Sequence, residues 1–266
     1  MKLVARRPGI EVLLSATAFL LLILIAGCGG RPGLTISVAA SLGDAMEEIA
    51  AEFERLEGVD VDLNLGASNV LARQVELGAP VDLVVLAGLE PVDELIEEGF
   101  VLPDGVAEIL GNSLAVVSKS KNGKAAPLAD LASLAADYTG RIAIADPQLA
   151  PAGVYADAAL QAAGVAADLE GRIIPALDVR AAAAAVESGH AEFGIVYSTD
   201  ALAFDGIAGV LEIPADLHPP IVYPAAVISG SDSEQLALRF LLFLQGEFAG
   251  SVFRSHGFVT SNSDGR

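Results

Sequence analysis

The sequence predicts an α/β protein built on mainly parallel sheets. Three observations carry this. Short apolar runs alternate with amphipathic helical stretches along the chain, the helical stretches stop at glycines, and small polar residues collect where an apolar run gives way to a helix. Residues 34–40 read as a strand. A helix follows over 42–56, with Leu42, Ala45, Met46, Ile49, Ala50 and Phe53 at helical spacing, and Gly58 stops it. Residues 59–65 alternate Val59, Val61, Leu63 and Leu65 against Asp60, Asp62 and Asn64, the pattern of a half-exposed strand. Residues 70–77 are helical, 82–87 form a buried strand, and 90–98 form a helix ended by Gly99. Strands follow at 114–117 and 141–145, helices at 154–163 and 179–188, a strand at 193–197, an extended run at 221–228 and a long helix at 233–245.

Composition agrees with a packed interior. The 266 residues are 53% hydrophobic and 19% charged, which supports a globular core and excludes a disordered chain. That length suits one large domain or two lobes. The first segment is different. Lys2, Arg6 and Arg7 precede a nearly uninterrupted apolar run over 10–25, which ends in Ile25-Ala26-Gly27-Cys28. Positive start, apolar core and small-residue site come in the order of a secretory signal peptide, assigned to 1–27. The final tetrapeptide resembles a bacterial lipobox, which implies lipidation at Cys28, the chain's single cysteine. Residues 28–33 then read as a tether.

The formal net charge is −20, and removal of residues 1–27 makes it two units more negative. Such a surface repels nucleic acid, so no nucleic-acid partner is expected. Enzyme signatures are weak. There is no Gly-x-Ser-x-Gly elbow or phosphate loop, and the Ser-x-x-Lys spacing at Ser118–Lys121 reads as a solvated loop. His190, His218 and His256 are scattered, without metal-ligand spacing. No catalytic residue and no cofactor is assigned.

In open parallel sheets, ligands sit at the carboxyl ends of strands, where loops lead into helices. Five such places hold candidate residues: Ser41, Ser68 beside Asn69, the stretch from Asp146 to Gly153, Asp178-Val179-Arg180, and Tyr197. Taken singly, Ser41, Ser68 and Asp178 read as helix N-caps and Tyr197 as a half-buried core residue.

Taken together they resemble a known family. Val38-Ala39-Ala40-Ser41-Leu42, Leu71-Ala72-Arg73-Gln74 with Gly78-Ala79-Pro80-Val81-Asp82-Leu83, Asp146-Pro147 with Pro151-Ala152-Gly153-Val154-Tyr155-Ala156, Asp178-Val179-Arg180, and Gly194-Ile195-Val196-Tyr197-Ser198-Thr199-Asp200-Ala201 are similar to the binding loops of the periplasmic molybdate-binding proteins of ABC importers. The resemblance runs over about 34–258. It implies a two-lobed, type II periplasmic-binding-protein-like fold, with lobe one at 34–111 plus 225–266, lobe two at 112–224 and the cleft between them. It implies capture of molybdate or tungstate by Ser41, Ser68, Ala152, Val179 and Tyr197. Hydroxyls would come from Ser41, Ser68 and Tyr197, and backbone N–H groups from Ser41, Ser68, Ala152 and Val179. Molybdenum would be held as an oxyanion, with no direct protein–metal ligand. The implied partners are an importer's permease and ATPase, and the implied location is the periplasm or the outer face of the cytoplasmic membrane. Sulfate or another small tetrahedral oxyanion is the alternative ligand. Two loops depart from the family pattern: Ala67 and Asn69 flank Ser68 where serines are common, and Asp178 stands where asparagine is common.

The residues support the same reading physically. Ser41, Ser68, Ala152 and Val179 lie at expected helix starts, where unpaired N–H groups and the helix dipole favour an anion. No lysine or arginine is then required, so Arg73 and Arg180 are expected to matter little. The small residues Ala40, Ala67, Ala152 and Gly153 suit close approach of backbone to ligand.

Overall fold

The structure is a computed structural model that describes residues 33–120 and 128–260. The leader, Cys28 and the tether residues 28–32 lie outside the described residues, as does Lys121.

The chain begins with β1 (Gly33–Ala39), a 3-10 turn over Ala40–Leu42 and α1 (Gly43–Glu57). The helix buries Ala45, Met46, Ile49, Ala50 and Phe53, the positions its periodicity selected. Gly58 ends it with φ of +70°, a conformation that costs glycine no Cβ clash. Next come β2 (Asp60–Gly66), α2 (Ser68–Glu76), β3 (Leu83–Val85), α3 (Glu90–Glu97) and the long β4 (Val101–Asn112). The chain continues through β5 (Leu114–Lys119), α4 (Leu131–Ala136), β6 (Ile142–Ala145), α5 (Pro151–Ala162), α6 (Ala166–Leu169) and β7 (Ile173–Ala176). After these follow α7 (Val179–Ser188), β8 (Phe193–Tyr197), α8 (Ser198–Ala203), β9 (Ile207–Glu212), β10 (Ile221–Ile228), α9 (Glu234–Leu244), α10 (Glu247–Ser255) and β11 (Val259–Thr260).

Two sheets result. A six-stranded sheet runs β11-β4-β10-β3-β1-β2 and a five-stranded sheet runs β7-β6-β8-β5-β9. Helices flank both, and the fold is two-lobed α/β. The expectation of mainly parallel sheets needs correcting. β2, β1 and β3 are mutually parallel, as are β7, β6 and β8, but every other pair is antiparallel. The reason is connectivity. The chain leaves the first sheet along β4 and re-enters it along β10, so these neighbouring strands run in opposite directions. β10 lies wholly in the six-stranded sheet, so its first four residues fall on that side of the passage rather than with residues 112–220. Ser118 is also corrected: it is a buried residue of β5, not part of a solvated loop.

The parallel groups matter for function. β1 and β2 pair with Ala39 opposite Gly66, so their exits lie side by side. β6 and β7 pair with Ala145 opposite Ala176, with β8 on the other side of β6. All five candidate loops leave carboxyl ends of these strands.

Candidate functional site

The five loops meet. Ser41, Ser68, Ala152, Val179 and Tyr197 line one cavity of about 20 Å³, together with Ala39, Ala40, Ala67, Ala87, Ala150 and Asp178 among others. Among the described residues that line it, none is lysine or arginine. Two walls face each other. Ser41 and Ser68 belong to loops of the six-stranded sheet, and Ala152, Val179 and Tyr197 to loops of the five-stranded sheet.

The walls are drawn together. Asn69 N–H donates to Leu149 O at 3.2 Å and Asn69 Nδ2 donates to Gln148 O at 3.3 Å. Arg180 Nη2 donates to Asp44 Oδ2 at 2.8 Å and to Ser41 O at 3.4 Å. Arg180 thus ties the start of α7 to the start of α1 beside the cavity. Its charge is offset by Asp44 and by Asp200, whose Oδ1 lies 2.9 Å from Arg180 Nε as an ion pair without hydrogen-bond alignment. Arg73 instead pairs with Glu76 on the exposed side of α2.

The serines are not N-caps, which the isolated reading had suggested. Ser68 is the first residue of α2, and its Oγ accepts from Ala87 N–H at 2.9 Å. Its own proton remains available to a ligand. Ser41 lies in the 3-10 turn and its Oγ is 3.1 Å from the Tyr223 hydroxyl. The helix starts at this cavity carry poor caps. Ala39, Ala67 and Ala150 precede the turn, α2 and α5, and none has a capping side chain. Alanine forfeits about 1 kcal/mol at such a position relative to serine or aspartate, so the first N–H groups are left for something else. Asp178 is the exception. Its Oδ1 accepts from Ala181 N–H at 2.8 Å, so the carboxylate caps α7 while Val179 N–H stays outside that bond.

Tyr197 is 1% exposed, and its hydroxyl has no aligned hydrogen-bond partner among the described residues. A buried hydroxyl left unpaired costs about 1–3 kcal/mol, a penalty a ligand would remove. Burial, then the neighbouring Tyr223, Tyr155 and Asp200, push its ionisation well above the ordinary phenol range. Burial likewise raises Tyr223. Both phenols therefore stay protonated and able to donate at neutral pH.

Gly153 is in a different role from the one expected. A Cβ there would stand 2.2 Å from Ala145 O and 2.6 Å from Pro147 N. Its missing side chain lets α5 seat against the end of β6. Closeness to a ligand is left to Ala40, Ala67 and Ala152, which do line the cavity.

The pattern of the bacterial extracellular solute-binding proteins matches residues 34–259. This chain belongs to that family. It is 37% identical to the molybdate-binding protein ModA of Escherichia coli K12, over 85% of this chain and 88% of the relative. Identity to the molybdate-binding protein ModA of Haemophilus influenzae is 32%, over 89% and 95%. The periplasmic molybdate-binding protein of Azotobacter vinelandii superposes with a TM-score of 0.75 at 27% identity, covering 85% of this chain and 98% of that one. The sulfate-binding protein SubI of Mycobacterium tuberculosis also gives 0.75 and covers 88% of both chains, but its 19% identity shows the fold alone. The family resemblance read from the loop motifs therefore holds, and this is a family of solute-binding proteins rather than of enzymes.

Sequence reasoning missed three residues of this solute-binding protein's site. Tyr223 and Asn112 stand behind Ser41, with Asn112 Nδ2 donating to the Tyr223 hydroxyl Oη at 3.1 Å. Tyr223 is 182 positions from Ser41, and no local pattern joins them. Asp200 belongs to the fifth loop motif, where the sequence assigns it no role, and it is fully buried. Burial, opposed by Arg180, raises its pKa to about 7.

Proposed function

We propose that this protein captures a tetrahedral oxyanion dianion, molybdate or tungstate, outside the cytoplasm and presents it to the permease and ATPase of an ABC importer. One observation carries the reading: uncapped helix starts from both walls converge on a cation-free cavity that also holds the unpaired Tyr197 hydroxyl. Hydroxyls of Ser41, Ser68 and Tyr197, and N–H groups of Ser41, Ser68, Ala152 and Val179, would supply the donors. The relatives named for molybdate support the choice of anion.

Selectivity follows from donor chemistry. Hydroxyls can turn to donate and N–H groups can do nothing else. Hydrogen phosphate brings a proton that finds no acceptor, at a cost of about 1–3 kcal/mol. Sulfate passes that test but is a smaller tetrahedron, so it cannot reach all the donors at once. Calorimetric titration with molybdate, tungstate, sulfate and phosphate tests the reading. Tight binding of the first two and weak binding of the others is expected, and sulfate binding as tightly as molybdate would overturn the assignment.

With β10 referred to the first lobe, the lobes of this reading are 34–111 plus 221–266 and 112–220, and they would close about the passages at 112–114 and 212–221. Cys28 would carry a lipid that holds the protein at the membrane surface. Cys28→Ala should release it to the soluble fraction or block processing, and mature protein without lipid mass at Cys28 would refute the anchor.

A further inference from the structure

Behind Ser41 lies a chain of hydrogen bonds whose direction is fixed at its Asn112 end. Asn112 is the last residue of β4, and its Oδ1 accepts from Ser113 N–H at 2.9 Å. A backbone N–H can only donate, which fixes the amide with its nitrogen on the other side. That nitrogen donates to Thr199 Oγ1 at 3.0 Å and to the Tyr223 hydroxyl at 3.1 Å. Tyr223 is fully buried, so its oxygen receives from Asn112 and its proton needs an acceptor. Ser41 Oγ is 3.1 Å away. If Tyr223 donates to it, the Ser41 proton is free to point into the cavity that Ser41 lines. The opposite arrangement would turn Ser41 lone pairs toward an anion.

We propose that Asn112 and Tyr223 are positioning residues that polarise Ser41 as a donor, and so set the discrimination between unprotonated and protonated oxyanions. Without Tyr223 the Ser41 hydroxyl loses the partner that occupies its lone pair. It then accepts as readily as it donates, and a protonated anion finds the acceptor it lacked. This rests on the oxyanion reading of the cavity, deepening it rather than replacing it. Ser68 has a matching arrangement, since Ala87 N–H occupies its oxygen with a donor that cannot reverse. Ser41 is thus the serine whose direction depends on side chains, and the place where selectivity can be altered without touching a ligand-binding residue.

The test compares sodium molybdate with inorganic phosphate at about pH 8, where both are chiefly dianions but phosphate keeps a proton. Affinities come from ligand-dependent thermal stabilisation over a concentration series, which reads weak as well as tight binding. Tyr223→Phe keeps the ring and its edge contacts with Tyr197 and Phe258. It should weaken molybdate on the order of ten-fold and leave phosphate unchanged or tighter, so the affinity ratio contracts by about ten-fold or more. Asn112→Asp provides a second variant. It keeps the acceptor for Ser113 N–H but removes the donor, so Tyr223 turns its proton away from Ser41. The ratio should contract again, whereas an added charge alone would repel both dianions alike and leave it unchanged. Equal losses for the two anions in these folded variants, or no change in either, would overturn the relay. Failure of the wild-type protein to bind any tetrahedral oxyanion would instead overturn the reading on which it rests.

Discussion

The two walls of the cavity are built by different means. On the six-stranded side, Ser41 and Ser68 present hydroxyls already held by partners of that sheet, Tyr223 and Ala87. On the five-stranded side, Ala152 and Val179 have no polar side chain, and the Tyr197 hydroxyl has no aligned partner. The first wall is organised before a ligand arrives. The second offers backbone whose placement depends on how its helices are seated, plus one phenol whose hydrogen bond is still to be made. Side-chain chemistry therefore tunes one wall and helix packing tunes the other.

The sharpest way to break the second wall is Gly153→Ala. The added Cβ would sit 2.2 Å from the Ala145 carbonyl oxygen, so α5 must move and carry Ala152 with it. Overpacking of this kind costs about 1–3 kcal/mol in stability. Anion affinity should fall about a hundred-fold or more, read by calorimetry on protein shown to be folded. Undiminished binding would mean that Ala152 N–H is not part of the site.

Asp200 tests the support behind that wall. Its folded pKa is raised to about 7, chiefly by burial, with Arg180 opposing the shift. Between about pH 4 and pH 7 the folded state thus holds a proton that the unfolded state has lost. This group's contribution to stability is full below about pH 4 and declines as pH rises through 7. Asp200→Asn should flatten that part of the stability-pH profile by a few kcal/mol, measured by denaturant titration across the window. An unchanged slope would place the proton elsewhere.

A third comparison sets the walls directly against each other. Ser68→Ala strands the buried Ala87 N–H, so it should cost about 1–3 kcal/mol of stability without ligand and also weaken binding by tens of fold. Tyr197→Phe removes a hydroxyl that has no partner, so ligand-free stability should hold or rise while binding falls by a similar factor. Thermal melts with and without molybdate separate the two. Equal loss of ligand-free stability in both variants would erase the distinction.

Periodic elements were legible from sequence alone. α1 and α7 show their buried faces and their glycine stops at Gly58 and Gly189 plainly. β4 was not, because Pro103, Asp104 and Gly105 interrupt it as a turn would, yet pairing with β10 and irregular register keep it extended. Pro175 hid β7 in the same way. For the site, hydroxyls can be seen in a sequence, but backbone donors cannot. Ala152 and Val179 were reached through family resemblance, not through chemistry visible in their side chains. Asn112, Tyr223 and Asp200 matter through contacts that only the fold creates.

The cation-free lining has a consequence for rates. The chain carries a formal charge of −20, and its cavity has no lysine or arginine to draw a dianion inward. Approach is therefore uphill until the anion is within reach of the helix starts. Mobile ions shorten the range of that repulsion to about 8 Å at physiological ionic strength. An anion enclosed as proposed would have contacts that are short and shielded from solvent, and salt would touch them little. Added inert salt should consequently quicken capture while leaving escape nearly constant, the reverse of the slowing seen when opposite charges steer a ligand home.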